Sequence, residues 1–162
     1  MRKSAVISPC GLYRTRLERI WDASCPPLVL AMLNPSKADA EIDDPTIRRG
    51  MGFARREEAG GLVVVNMRSL RATDPKELLR ADDPTGPYNP GALTMVILEA
   101  LTDGRKIVCA WGAHPMAEPA GTGFVMMARA AGVPLWSLGK TKGGHPRHPL
   151  YVPASQPLVA YP

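Results

Sequence analysis

Four short apolar runs, Leu28–Leu33, Leu62–Val65, Ile107–Trp111 and Val133–Leu138, constrain this chain more than any other feature. Each is short for a core helix and lacks the alternation of a half-exposed strand. Each therefore reads as a strand covered on both faces. Helical patterns fill the gaps. Asp44-Pro45-Thr46 opens one helix, with Ile47, Met51 and Ala54 on a common face, and Gly60-Gly61 ends it. Asp74-Pro75 opens a short helix through Leu79. Asn89-Pro90 opens another, in which Leu93, Val96, Ile97, Ala100 and Leu101 recur before Gly104. A fourth runs from Gly123 to Ala131 and stops at Gly132. Strands alternating with helices require right-handed crossovers and a mostly parallel sheet. The expected fold is a three-layer α/β/α arrangement with a four-stranded, mostly parallel core. Residues 13–21, rich in β-formers, are added as an exposed N-terminal edge strand.

A chain of 162 residues, 45% apolar and 22% charged, suits a single α/β domain over 1–162. No apolar run approaches the roughly 18 residues that span a membrane, and the N-terminal stretch is too short for a signal peptide. Cys10, Cys25 and Cys109 lack metal-ligand spacing. Cys109 lies inside an apolar run, which favours a core role, and a reducing cytoplasm is the expected location. A formal charge of +5 fits a polyanionic partner such as nucleic acid.

In parallel sheets, ligands bind beyond the carboxyl ends of the strands. There the four runs deliver Asn34-Pro35-Ser36, Asn66-Met67-Arg68, Trp111-Gly112-Ala113-His114, and a loop from Gly139 to Pro149. That loop carries Lys140, Lys142, His145, Arg147 and His148. All three histidines precede prolines, which hold the preceding residue extended. His145 and His148, beside Gly143-Gly144, read as side chains presented for contact, while His114 reads as a loop residue. Gly139-Lys140-Thr141 resembles the close of a phosphate-binding loop. Its first glycine would fall at Pro134 and no helix follows, so that reading fails. No second ligand pair accompanies the two histidines, and no metal or other cofactor is expected.

Taken together, Met32–Ser36, Asp43–Thr46, Val65-Asn66, Ala110–Gly112 and Gly144–Tyr151 resemble a bacterial and phage family, the domain of unknown function numbered 1643, over nearly the whole chain. More distantly, their order resembles the uracil-DNA glycosylase superfamily. That second resemblance implies a uracil-DNA glycosylase-like fold in which Asn34-Pro35, with Ser36, positions an attacking water. Asn66 would read a flipped base, Trp111-Gly112 would line the pocket, and His145 or His148 would stabilise the leaving group. The cysteines of the iron–sulfur branch are absent. Asp43 and Asp44 lie within ten residues of Asn34. Either could assist the water; Asp44 is the better helix cap, and Asp43 is taken as the candidate. Phe53 is a candidate to stack on the base. Lys140, Lys142, Arg147, Arg48 and Arg49 are candidates for phosphate contact, and Leu150 or Arg147 for filling the vacated stack. The expected activity is a glycosylase-like hydrolysis of the N-glycosidic bond of a damaged or modified base, with DNA favoured over RNA. The alternatives are a non-catalytic module that binds nucleic acid or a modified base through the same pocket, and a small-molecule or nucleotide hydrolase.

Overall fold

The computed structural model describes residues 1–162. Seven strands form one mixed sheet: β1 (Arg2–Ile7), β2 (Arg14–Ile20), β3 (Leu28–Met32), β4 (Gly61–Asn66), β5 (Ile107–Cys109), β6 (Leu135–Ser137) and β7 (Val159–Tyr161). Their spatial order is β1-β2-β4-β3-β5-β6-β7. The four apolar runs supply β3, β4, β5 and β6, and these four pair in parallel. β1, β2 and β7 are antiparallel additions. Three α-helices, α1 (Pro45–Arg56), α2 (Asn89–Asp103) and α3 (Ala120–Ala130), cover the two faces.

Successive side chains of a strand point to opposite faces, so each parallel strand feeds two cores. Leu28, Leu30, Leu62, Val64 and Val108 pack with Ile47, Met51 and Ala54 of α1. Val29, Ala31, Val63, Val65 and Ile107 pack with Leu93, Val96 and Ile97 of α2 and with Phe124 and Ala128 of α3. Each large aliphatic side chain so buried stabilises the fold by about 1.5–3 kcal/mol. Cys109 has no exposed surface, and burial pushes its thiol pKa up. It is a core residue.

The helix starts follow local chemistry. The Asp44 side chain accepts from the Ile47 N–H at 2.9 Å, with Pro45 in the first helical position. Asp74-Pro75 opens only a short 3-10 turn, Pro75–Leu79, closed by a reciprocal Asp74–Glu77 capping box.

The sheet is wider than expected, and its edges lie elsewhere. β2 is not an edge strand: it sits between β1 and β4, and the true edges are β1 and β7. Arg14, Leu17 and Arg19 of β2 are buried. Arginine is rarely buried unless paired, and Arg19 is paired: its Nε donates to Asp43 at 2.6 Å and its Nη2 to the Asp39 carbonyl at 2.6 Å.

Gly60 and Gly61 lie where α1 hands over to β4. A Cβ on Gly60 would lie 2.1 Å from the Asp22 carbonyl oxygen and 2.2 Å from that of Cys25. Backbone cannot yield as a side-chain tip does. Gly60→Ala is expected to lower the unfolding free energy by about 1–3 kcal/mol, read as a shifted urea midpoint at unchanged slope. No helix is long and apolar enough to cross a membrane.

Candidate functional site: a cleft at the strand ends

β3 and β5 are neighbours, yet the chain leaves them in opposite directions, from β3 through α1 to β4 and from β5 through α3 to β6. Loops diverge at such a switch point and leave a crevice. Here it has two lobes. A polar lobe of about 180 Å³ is lined by Arg14, Asn34, Ser36, Asp44, Asn66 and His148, with Thr46 and Thr73 beside them. A more apolar lobe of about 280 Å³ is lined by Leu33, Trp111, Gly112, His114 and Tyr151. Met32, Asn34, Pro75 and His148 belong to both, so the lobes form one cleft.

Each polar group is held in a defined state. Asn34 follows β3, and its Nδ2 donates to the carbonyls of Pro35 at 3.0 Å and Ala72 at 2.8 Å. That commitment leaves Oδ1 as the acceptor it offers to the cleft. Asn66 ends β4 and is 1% exposed. Asn89 at the start of α2 donates its Nδ2 to the Asn66 carbonyl at 2.9 Å, fixing the strand end. The Asn66 Oδ1 lies 3.5 Å from Arg14 Nη2, and its Nδ2 is left to the cleft.

His148 accepts from the Leu150 N–H at Nδ1, 3.3 Å away. An accepting Nδ1 carries no proton, so the neutral ring holds its proton on Nε2. Burial lowers the His148 pKa from its usual 6.5, with Asp44 pulling weakly the other way. The ring is therefore neutral near pH 7 and presents an N–H donor. Below pH 6.5 the unfolded chain takes up this proton before the folded one does, so stability falls as the pH drops through the depressed pKa. A proton NMR titration should place the His148 midpoint below 6.5. In His148→Gln, unfolding free energy should decline less over the same window.

The loop that carries His148 is a small hairpin. Thr141 N–H donates to the His145 carbonyl at 2.8 Å and Arg147 N–H to that of Gly139 at 3.0 Å. Gly112, at φ 76°, turns the chain after β5 and donates its N–H to the Pro146 carbonyl at 2.9 Å, docking the hairpin beside the cleft.

Several sequence-derived candidates lie elsewhere. His145 lines neither lobe; its N–H is bonded to Thr141 Oγ1 at 3.2 Å. It stands three residues from His148, and in an extended segment an odd separation places side chains on opposite sides. Asp43 is also outside the cleft, in ion pairs with Arg19 at 2.6 Å and Lys3 at 3.0 Å. The carboxylate in the cleft wall is Asp44, which caps α1 as well. Phe53 is 2% exposed and belongs to the core under α1, with Arg49 and Arg56 over its ring at 5.4 and 5.0 Å. Arg49 donates to the Val152 carbonyl and Arg56 to those of Ala154 and Gln156, so these arginines strap the C-terminal segment to α1. Arg48 donates to the Asp43 carbonyl. Lys140 sits over the Tyr161 ring at 5.3 Å, and Arg147 donates to the Tyr151 carbonyl at 3.1 Å. Lys142 and Leu150 are exposed, Lys142 at the hairpin tip and Leu150 next to the cleft-lining Tyr151. Pro35 is buried behind Asn34. Arg14 and Tyr151 were not foreseen. Nothing in an alternating strand marks one arginine as inward-facing, and Tyr151 shows only as an aromatic after His-Pro-Leu.

A further cavity of about 290 Å³ lies at the opposite ends of the strands, lined by Arg16, Glu18, Asp103 and Arg105 among others. Its charges neutralise one another: Arg16 pairs with Glu18 at 2.7 Å, and Arg105 with Glu99 and Asp103 at 2.6 Å each. It presents no uncommitted group of the kind found in the cleft. No three His, Cys, Asp or Glu side chains converge in a way that would hold a metal ion.

The profile of the family described as "protein of unknown function (DUF1643)" matches residues 14–150, which include every residue lining the cleft except Tyr151. No curated protein and no solved structure matches the chain.

Proposed function

The chain belongs to the DUF1643 family, and from the cleft at its strand ends we propose that it hydrolyses the N-glycosidic bond of a damaged or modified base held out of a nucleic-acid stack. One observation carries this reading. Asn34, Asn66 and His148, from three separate parts of the chain, line a single cavity with an acceptor, an amide donor and a neutral imidazole N–H.

These groups match the needs of the reaction. Water adds through its oxygen to the anomeric carbon, and the carbon–nitrogen bond breaks with its electron pair leaving on the base. Asn34 Oδ1 orients that water, and the Asp44 carboxylate in the same wall receives its proton. In this reading the assisting carboxylate is Asp44, one residue beyond the expected Asp43. Asn66 meets the edge of the base, and the His148 Nε2–H meets the oxygen on which negative charge develops. A donor fixed in place before the reaction stabilises that charge without reorganising. The exposed Tyr151 gives the adjoining lobe an aromatic wall for a planar ring, while Trp111, 3% exposed, is a core side chain whose indole packs against Gly121 and edge-on to Tyr161. Extruding a base costs a few kcal/mol, least when it is mispaired or single-stranded. Exposed Leu150 beside the cleft supports a role in filling the vacated space, and Lys142 a role in phosphate contact.

Single- and double-stranded oligonucleotides carrying a panel of damaged and modified bases, scored for abasic sites, test the proposal. Product with at least one base, lost in Asn34→Ala and Asn66→Ala, is the expected result. Salt-sensitive binding without product on any substrate would convert the reading to a recognition module. Absence of nucleic-acid affinity at low salt would remove both.

A further inference from the structure

Arg14 and Arg19 share strand β2 and are 2% and 0% exposed, yet they end in different company. Arg19 is neutralised by Asp43 at 2.6 Å and donates to backbone carbonyls as well. Arg14 enters none of the chain's ion pairs. Its Nη1 donates to the Ala38 carbonyl at 2.7 Å, its Nη2 lies 3.5 Å from Asn66 Oδ1, and its Nε has no partner. A guanidinium carries five donor hydrogens in a planar fork suited to two parallel bonds with an oxyanion. Arg14 lines the polar lobe, and its Nε and the second hydrogens of Nη1 and Nη2 have no acceptor in the chain. Burial pulls its pKa down to about 10, with Asp44 opposing, so the positive charge persists at neutral pH. A buried charge without a contacting counter-ion is unfavourable, and an anion in the lobe would relieve it.

The neighbouring groups point the same way. With Oδ1 turned to Arg14, Asn66 offers the lobe an N–H, and His148 offers another. Asp44 is the one carboxylate in this wall. Its Oδ1 accepts from Ile47 at the N-terminus of α1, whose positive dipole end offsets its charge. The side of the lobe formed by Arg14 and Asn66 is thus a surface of donors. An uncharged imide edge, with its hydrogen between two carbonyls, matches it poorly; a carboxylate matches it on both oxygens.

We propose that the polar lobe recognises a heterocyclic base bearing a negative charge on the edge that meets Arg14 and Asn66, a carboxylated pyrimidine being the simplest form. This rests on the base-binding reading above and names the substrate class within it.

Calorimetric titration of the full chain with 5-carboxyuracil, uracil and acetate, at one ionic strength, tests the assignment. The expected result is that 5-carboxyuracil binds at least tenfold more tightly than uracil. Arg14→Met should erase that preference, so that the two rings bind within a few-fold of each other, and Arg14→Lys should retain part of it. Should Arg14→Met fail to fold, the wild-type comparison and the lysine variant still decide. Equal affinity for the two rings would overturn the charge assignment while leaving a base pocket in place. Failure of both rings to bind would remove the base-binding reading itself. Acetate binding as tightly as 5-carboxyuracil would overturn the assignment in favour of a plain oxyanion site.

Discussion

His148→Ala is expected to lower the rate of base release by about 10²–10⁴-fold, the range for removing a positioned proton-transfer or charge-stabilising group. His145→Ala should leave the rate within a few-fold. The two residues have the same local sequence, each a histidine before proline on one short loop. Only the ring of His148 lines the cleft, with Nδ1 bonded to the Leu150 N–H and Nε2 left as the donor. His148→Gln keeps an N–H donor of similar reach and should recover part of the loss, which alanine cannot. Single-turnover assays on the preferred oligonucleotide measure the contrast. A larger loss in the His145 variant would place the chemistry on the wrong side of the hairpin.

The second large effect concerns stability. Asp43→Ala should destabilise the fold by about 3 kcal/mol, the low end for breaking a buried pair, because Asp43 keeps partial access to water. The charge left behind is that of Arg19, which has no exposed surface. Burial by itself raises the Asp43 pKa, but hydrogen bonds and charge from Arg19 and Lys3 outweigh it and hold the carboxyl below its usual 3.8. Because the folded pKa is depressed, the stabilisation is fully present above about pH 4 and is lost as the pH falls through the folded value. Urea unfolding at neutral pH and in acid should show the wild type and Asp43→Ala converging at low pH. Base release at neutral pH, corrected for the folded fraction, should be little changed. A variant that keeps its stability but loses activity would return Asp43 to the reaction.

How much of this was legible in the sequence depended on the kind of signal. The parallel core was readable because Leu28–Met32 and Gly61–Asn66 are buried on both faces, and few alternatives bury five or six consecutive side chains. The outer strands were not. β1 carries Arg2, Lys3 and Ser4, and β7 is three residues long, so neither has an apolar stripe to betray it. They are held by backbone pairing with β2 and β6.

The site divides in the same manner. Asn34 and Asn66 could be located because a strand-end position follows from the strand itself. The choices between Asp43 and Asp44, and between His145 and His148, turn on which way a side chain leaves the backbone. Arg19 captures Asp43 from a strand 24 residues earlier in the chain, a pairing with no local mark. The arginines of α1 were readable as a basic cluster, but Arg49 and Arg56 bond to carbonyls in the segment after Tyr151 and Arg48 to that of Asp43. A charge count does not distinguish a grip on one's own backbone from a grip on phosphate.

The most direct measurement follows the side-chain amides of Asn34 and Asn66 and the ring of His148 by NMR while a nucleobase recognised by the protein is titrated in. If the cleft holds a base as proposed, all three signals shift together and saturate at one dissociation constant, while the His145 ring stays in place. Shifts confined to the Arg16–Arg105 cavity, or movement of His145 without the two asparagines, would contradict it.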